Sequence, residues 1–396
     1  MPQQNFDTIT DADLLEMGSA KWTTFPETIG AFVAEMDFGL APAVSGALKA
    51  ALDRGLTGYL PPQVARDMSV ATAAWYTENY GWNVPADRVH HVPDVMAAFD
   101  LAIEKFTKPG SAVIVPTPAY MPFLFVPKLH GREVIEVPSI EVDGRMMMDL
   151  EAIGQAFDDG AGLVVLCNPH NPLGTVFRRE ELIALADVVS AKDGRVFSDE
   201  IHAPIVYSPG RHIPYASVSE VAASHTITAA SASKAWNLAG LKCAQVILSN
   251  DTDAQIWESP LGFWIGHGTS TLGGLANTAA YSAGGQWLGN VVEYLDGNRR
   301  LLLELVSEHL PRARMLLPEG TYIALIDFRA YGLDGDLGEW FRDNARVAMT
   351  DGAACGEASI GHARFVFALP RPLLREAVVR IAKALDAHTA ERDAVA

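Results

Sequence analysis

Between about residue 85 and residue 250 the chain alternates short, unbroken apolar runs with segments of helical period. Ala112–Val115, Glu133–Val137, Leu163–Leu166, Thr226–Ala230 and Cys243–Leu248 read as strands, as does Arg195–His202 with its polar end. Met96–Phe106 and Glu180–Ala191 read as helices between them. Four or five apolar residues in a row leave no polar face, so such strands must be covered on both sides. That predicts a mostly parallel α/β sheet flanked by helices.

The flanks have a different character. Residues 1–48 read as an irregular arm, and Pro42 opens a helix running through Val44–Leu52. Residues 67–80 have helical spacing, closed by Gly81. Gly262–Gly285 reads as a loop followed by helix, and Asn290–His309 as a long amphipathic helix. Beyond it Arg314–Leu317, Thr321–Phe328, Val347–Thr350 and Ala363–Leu369 read as strands, with helices at Asp336–Asn344 and Leu373–His388. Thr389–Ala396 is expected to fray. A chain of 396 residues exceeds one typical domain. The division predicted is a large domain over 49–285 and a smaller α+β domain built from 1–48 and 286–396.

Composition narrows the partners. Thirty basic and forty-eight acidic residues give a net charge of −18, which argues against nucleic acid and anionic membrane. No apolar run reaches a membrane span, and the N-terminus lacks the basic and apolar segments of a signal peptide. The three cysteines, Cys167, Cys243 and Cys355, are too few and too scattered for a disulfide framework. A cytoplasmic location is the default expectation.

Polar groups gather where the predicted strands end, the place where ligands of open α/β sheets bind. Tyr120 follows the Pro116–Pro118 exit loop. Asn171 lies in the rigid loop Asn168-Pro169-His170-Asn171-Pro172-Leu173-Gly174. Asp199 and His202 end the strand that begins at Arg195. Ser231-Ala232-Ser233-Lys234-Ala235-Trp236-Asn237-Leu238 joins two apolar runs. A lysine among small residues there loses its proton to desolvation and becomes a nucleophilic amine. Each residue alone has an ordinary reading: Asp199 as a turn cap, Tyr120 as a packed loop aromatic, Arg364 as a solvated strand arginine. Together they fit a pyridoxal phosphate (PLP) site with Lys234 as its Schiff-base residue. Asp199 would face the pyridine nitrogen, Asn171 the ring phenolate, and Tyr120 would stack on the ring. Ser231, Ser233, Lys242 and the backbone at Val95 and Met96 would take the phosphate at a helix N-terminus capped by Asp94. His202 joins the cofactor-binding set. Arg364 is the candidate clamp for a substrate carboxylate, beside Asn171.

These motifs carry a resemblance. Asn-Pro-His-Asn-Pro-Leu-Gly, Ser-Asp-Glu-Ile-His and Ser-Ala-Ser-Lys-Ala-Trp-Asn-Leu-Ala-Gly-Leu-Lys resemble the fold-type I, class I/II aminotransferase superfamily. Ala34-Glu35-Met36-Asp37-Phe38, Thr57-Gly58-Tyr59, Tyr294-Leu295-Asp296-Gly297-Asn298 and Pro318-Glu319-Gly320-Thr321-Tyr322 look more closely like its MalY/PatB branch of carbon–sulfur β-lyases. One departure is Pro93-Asp94-Val95-Met96, where that branch usually has a glycine before paired valines. The resemblance implies a PLP-dependent transferase-like fold, cleavage of cystathionine or related cysteine S-conjugates, and a homodimer. It also implies that Tyr59 reaches the partner's phosphate, and that Tyr59 and Tyr120 tune the chemistry. An aminotransferase would use the same residues, so the residues alone leave both reactions open. A regulatory protein using this fold as a binding surface is a third reading. The joint presence of Lys234, Asp199 and Arg364 favours catalysis over it.

Overall fold

β-Branched and aliphatic runs pair where both faces can be buried. In the computed structural model, which describes residues 5–258 and 260–395, they build a seven-stranded sheet. Its strands are β1 (Val89–Val92), β2 (Ala112–Thr117), β3 (Val134–Pro138), β4 (Ala161–Cys167), β5 (Arg195–Asp199), β6 (Thr226–Ala230) and β7 (Ala244–Leu248). The order across the sheet is β1-β7-β6-β5-β4-β2-β3. β7 runs antiparallel to both neighbours and the other pairings are parallel. Helix Val95–Lys105 buries Phe99 and Ala102 on one face of the sheet, and Arg179–Ala191 buries Leu182 and Leu185 on the other. The expected α/β architecture therefore holds. β2 continues through Pro116, which the sequence reading placed in the exit loop. Its pairing to β4 ends at Ile114, so the missing N–H of Pro116 is not needed on that side.

The second sheet is antiparallel. Its strands are β8 (Arg314–Met315), β9 (Ile323–Asp327), β10 (Thr350–Asp351) and β11 (His362–Val366), in the order β8-β9-β11-β10. The single strand expected over Val347–Thr350 is divided. Val347–Ala348 pairs instead with Ile29–Gly30 of the N-terminal arm, and only Thr350–Asp351 joins this sheet. One extended apolar core joins this sheet to the arm (Phe6, Trp22, Phe38), to the long helix Gly285–His309, and to the segment bearing Ala232, Ala235 and Trp236.

Three expectations are corrected. The arm is partly helical, at Asp11–Met17 and Ala20–Thr23; a Thr10–Asp13 capping box starts the first of these. The loop expected to open Gly262–Gly285 is helical as far as Gly266, as part of Pro260–Gly266, while the helix expected after it is Thr271–Ala283. The C-terminal helix runs from Arg371 to Val395, and Arg392 ties it to the carbonyls of Tyr331 and Gly332. Met1–Gln4, Ser259 and Ala396 lie outside the described residues, and so do the parts of the terminal expectations that fall on them. Among the described residues, no helix is long and apolar enough to cross a membrane.

Candidate active site

The C-terminal ends of β2, β4 and β5, the loop after β6 and the start of helix Val95–Lys105 converge on a cavity of about 220 Å³. Ten predicted residues line it: Val95, Met96, Tyr120, Asn171, Asp199, His202, Ser231, Ser233, Lys234 and Lys242. Lys234 donates from Nζ to the carbonyl of Ala34 at 3.1 Å. Burial, followed by the charge of Arg364, lowers its pKa from 10.5 to about 8. The amine is thus far easier to deprotonate than an ordinary lysine.

Asp199 ends β5. One carboxylate oxygen accepts the N–H of Ile201 at 3.1 Å, and the other, among the described residues, has only the Cys167 thiol at 3.9 Å. Burial raises its pKa from 3.8 to about 7, against the opposing pull of Lys234. An N–H cation facing that second oxygen would draw the pKa back down. The donor set therefore fits a protonated heterocyclic nitrogen. His202 is kept neutral, its pKa pushed down to about 3 by burial and then by Lys234 and Arg364. Its Nδ1 pairs with the Thr321 hydroxyl at 3.1 Å.

Asn171 is held by a rigid loop. Gly174 closes that loop at φ +72°, and its carbonyl accepts the N–H groups of Glu319 and Gly320. A Cβ at Gly174 would stand 2.5 Å from the Pro318 side chain. Gly174→Ala is therefore expected to destabilise the protein by about 1–3 kcal/mol, through overpacking and positive-φ strain. Urea unfolding would measure this; an unchanged midpoint would contradict the contact.

Arg364, on β11, is 3% exposed. This corrects the solvated-arginine reading. β11 lies between β9 and β10, and the side chain of Arg364 leaves the sheet toward Phe32 of the arm and Asn171, which cover it. The guanidinium donates to Asn171 Oδ1 at 3.3 Å and to the Phe32 carbonyl at 2.6 Å. Its Nε has no hydrogen-bond partner among the described residues. A buried unpaired donor beside the cavity fits a ligand carboxylate.

The phosphate end is less fully supplied. The first residues of helix Val95–Lys105, Val95 and Met96, line the cavity, but Lys242 is paired with Asp94 at 2.9 Å. Asp94 also caps the helix through Ala97, as expected. Ser231 spends its hydroxyl proton on the Cys243 carbonyl at 2.8 Å. Tyr59 is not brought to this cavity. It is 85% exposed and stacks on His267 at the mouth of a separate cleft of about 750 Å³. That cleft is larger, but it has no lysine beside a buried carboxylate. Sequence reasoning missed the Ala34 carbonyl and Tyr322, whose hydroxyl donates to it at 2.8 Å. Both lie within motifs that were read, yet a backbone oxygen leaves no residue-type signal.

Residues 32–381 match the aminotransferase class I and II family, and the chain belongs to that family. Within it, the chain is 40% identical to cystathionine β-lyase of Corynebacterium glutamicum, over 94% of this chain and 98% of that protein. It is 32% identical to cystathionine β-lyase PatB of Bacillus subtilis, over 93% and 96%. The solved PLP-bound C–S lyase of Staphylococcus hominis superposes with a TM-score of 0.88 at 28% identity, covering 96% of this chain and 99% of that one.

Proposed function

We propose that this protein is a PLP-dependent carbon–sulfur β-lyase acting on cystathionine or related cysteine S-conjugates. The observation that carries the reading is the desolvated Lys234 amine, in one cavity with Asp199 and Asn171 and beside the unpaired Nε of Arg364. Relatives named cystathionine β-lyase, alike over nearly the whole chain, support lyase over aminotransferase.

PLP would supply an electron-withdrawing ring joined to the substrate nitrogen. Arg364 would grip the α-carboxylate with its free Nε. Asp199 would hold a proton on the ring nitrogen, and the Asn171 amide would donate to the ring oxygen. Lys234 would take the Cα proton. The electron pair left at Cα forms the Cα–Cβ double bond as the Cβ–S bond breaks and sulfur departs as thiolate. Hydrolysis of the remainder gives pyruvate and ammonia. Tyr120 would stack on the ring.

We further infer a homodimer in which exposed Tyr59 completes the partner's phosphate site, since its own cavity offers only the Asp94-paired Lys242 as a cation there. The division into 49–285 and 1–48 with 286–396 belongs to the same proposal. Three free, buried cysteines suit a reducing cytoplasm.

Incubation with cystathionine should release pyruvate and free thiol without any 2-oxo acid. Formation of a new amino acid only when such an acceptor is added would replace this reading with the aminotransferase one.

A further inference from the structure

The N-terminal arm holds a buried ion pair that the chemistry above does not use. Lys21 is 1% exposed, and its ammonium has three acceptors: Asp37 Oδ2 at 2.9 Å, the Ala368 carbonyl at 3.1 Å and the Glu35 carbonyl at 3.3 Å. All three of its donors are thus used. Asp37 also accepts the Trp22 indole N–H at 3.0 Å. Burial pushes Lys21 down and Asp37 up, and the contact between them opposes both shifts. A buried pair of this kind seldom adds stability over apolar residues of the same volume, so its role is better sought in what it positions.

What it positions is a short backbone stretch. Lys21 holds the Glu35 carbonyl. One residue on, Asn237 grips both backbone groups of Met36, accepting its N–H and donating to its carbonyl at 2.9 Å each. Asn237 lies three residues beyond Lys234, in the left-handed region at φ +60°. One residue before Glu35 is Ala34, whose carbonyl accepts from both Lys234 Nζ and the Tyr322 hydroxyl.

We propose that the Lys21–Asp37 pair and Asn237 form a clasp that fixes the Ala34 carbonyl as the seat of the free Lys234 amine. Lys21 and Asn237 are positioning residues and touch neither substrate nor cofactor. A lysine on a four-carbon stem carries about 2 kcal/mol of rotamer entropy, so an unseated amine samples many directions. Seated, the neutral amine spends one N–H on Ala34 and keeps its lone pair for the substrate Cα proton. The inference rests on the PLP reading but not on the choice between lyase and aminotransferase, because both begin by removing that proton.

The test uses two variants of the full chain. Asn237→Gly keeps the positive φ and loses both bonds. Lys21→Met with Asp37→Asn removes both charges together, so that no buried ion is stranded. Without PLP, amide hydrogen exchange over residues 33–37 should quicken about tenfold or more in each variant as the segment opens locally. With PLP, deuterium uptake at the Cα of alanine in D2O should slow about 10- to 100-fold. Borohydride-fixed PLP on Lys234 should persist at the wild-type level. Faster arm exchange with unchanged Cα uptake would show that the arm does not position Lys234. Arm exchange as slow as wild type would show that the clasp does not hold the arm. A wild-type protein with no borohydride-fixed PLP on Lys234 would overturn the PLP reading first and this seat with it, before any variant is compared.

Discussion

Lys234→Ala is expected to leave a folded protein that holds no borohydride-reducible PLP and turns over cystathionine at least about 10²- to 10⁴-fold more slowly. The fold should survive because the Lys234 side chain faces a cavity, and the one hydrogen bond it makes is to the Ala34 carbonyl. Chemistry should not survive, because in the proposed reaction this amine is both the attachment point and the group that accepts the Cα proton. Lys242 lines the same cavity and is the natural control. It is paired with Asp94, and its side chain is 59% exposed. Peptide mapping after borohydride should find the label on Lys234 in wild type and on no lysine in the variant. A label persisting on Lys242 would refute the assignment.

Asp199→Asn should cut turnover by about 10²- to 10³-fold, the usual loss when one preorganised charge is removed from a reacting centre. It also has an opposite effect on stability. The unfolded chain releases this proton near the usual value of 3.8, while the folded carboxyl keeps it to about 7. Between those pH values the unfolded state binds fewer protons, so the stability of cofactor-free protein falls as pH rises. Above pH 7 the buried, uncompensated carboxylate costs on the order of a few kcal/mol. Cofactor-free Asp199→Asn should therefore be more stable than wild type at pH 8, and the gap should close below about pH 4. Urea unfolding across that range measures it. A gap that widens toward acid would contradict the burial argument. Saturating PLP should reverse the ranking, since a ring N–H⁺ would pair with the carboxylate but not with the amide.

Much of this site was legible because its polar residues follow apolar strands. Asp199, Asn171 and Lys234 each stand just past such a run, and the sheet brings those ends together. Arg364 was harder to read. A strand arginine is ordinarily solvated, and what covers this one, Phe32 of the arm and Asn171, lies far away in sequence. The arm misled for a related reason. Lys21 and Asp37 are sixteen residues apart, and nothing local shows that a lysine and an aspartate will be buried against each other. The C-terminal helix was cut short by composition: Thr389–Val395 is polar, and its hold comes from Arg392 reaching two carbonyls about sixty residues earlier. Tyr59 was legible as a motif, yet a single chain gives it no place at its own cavity.

The span of sequence that meets at the Ala34 carbonyl has a consequence for how this protein is made. Lys234 reaches it across 200 residues and Tyr322 across 288, while Arg364 reaches Asn171 across 193. Contacts this distant in sequence form late, because each must close a long loop before it returns any stabilisation. On a ribosome the seven-stranded sheet has all its residues once Leu248 has emerged. The Asn171 contact has to wait for Arg364, and the arm stays without the Ala368 acceptor of Lys21 until that residue has been made. A nascent chain of this protein therefore carries Lys234 well before it carries the Tyr322 and Arg364 side chains that surround the finished site.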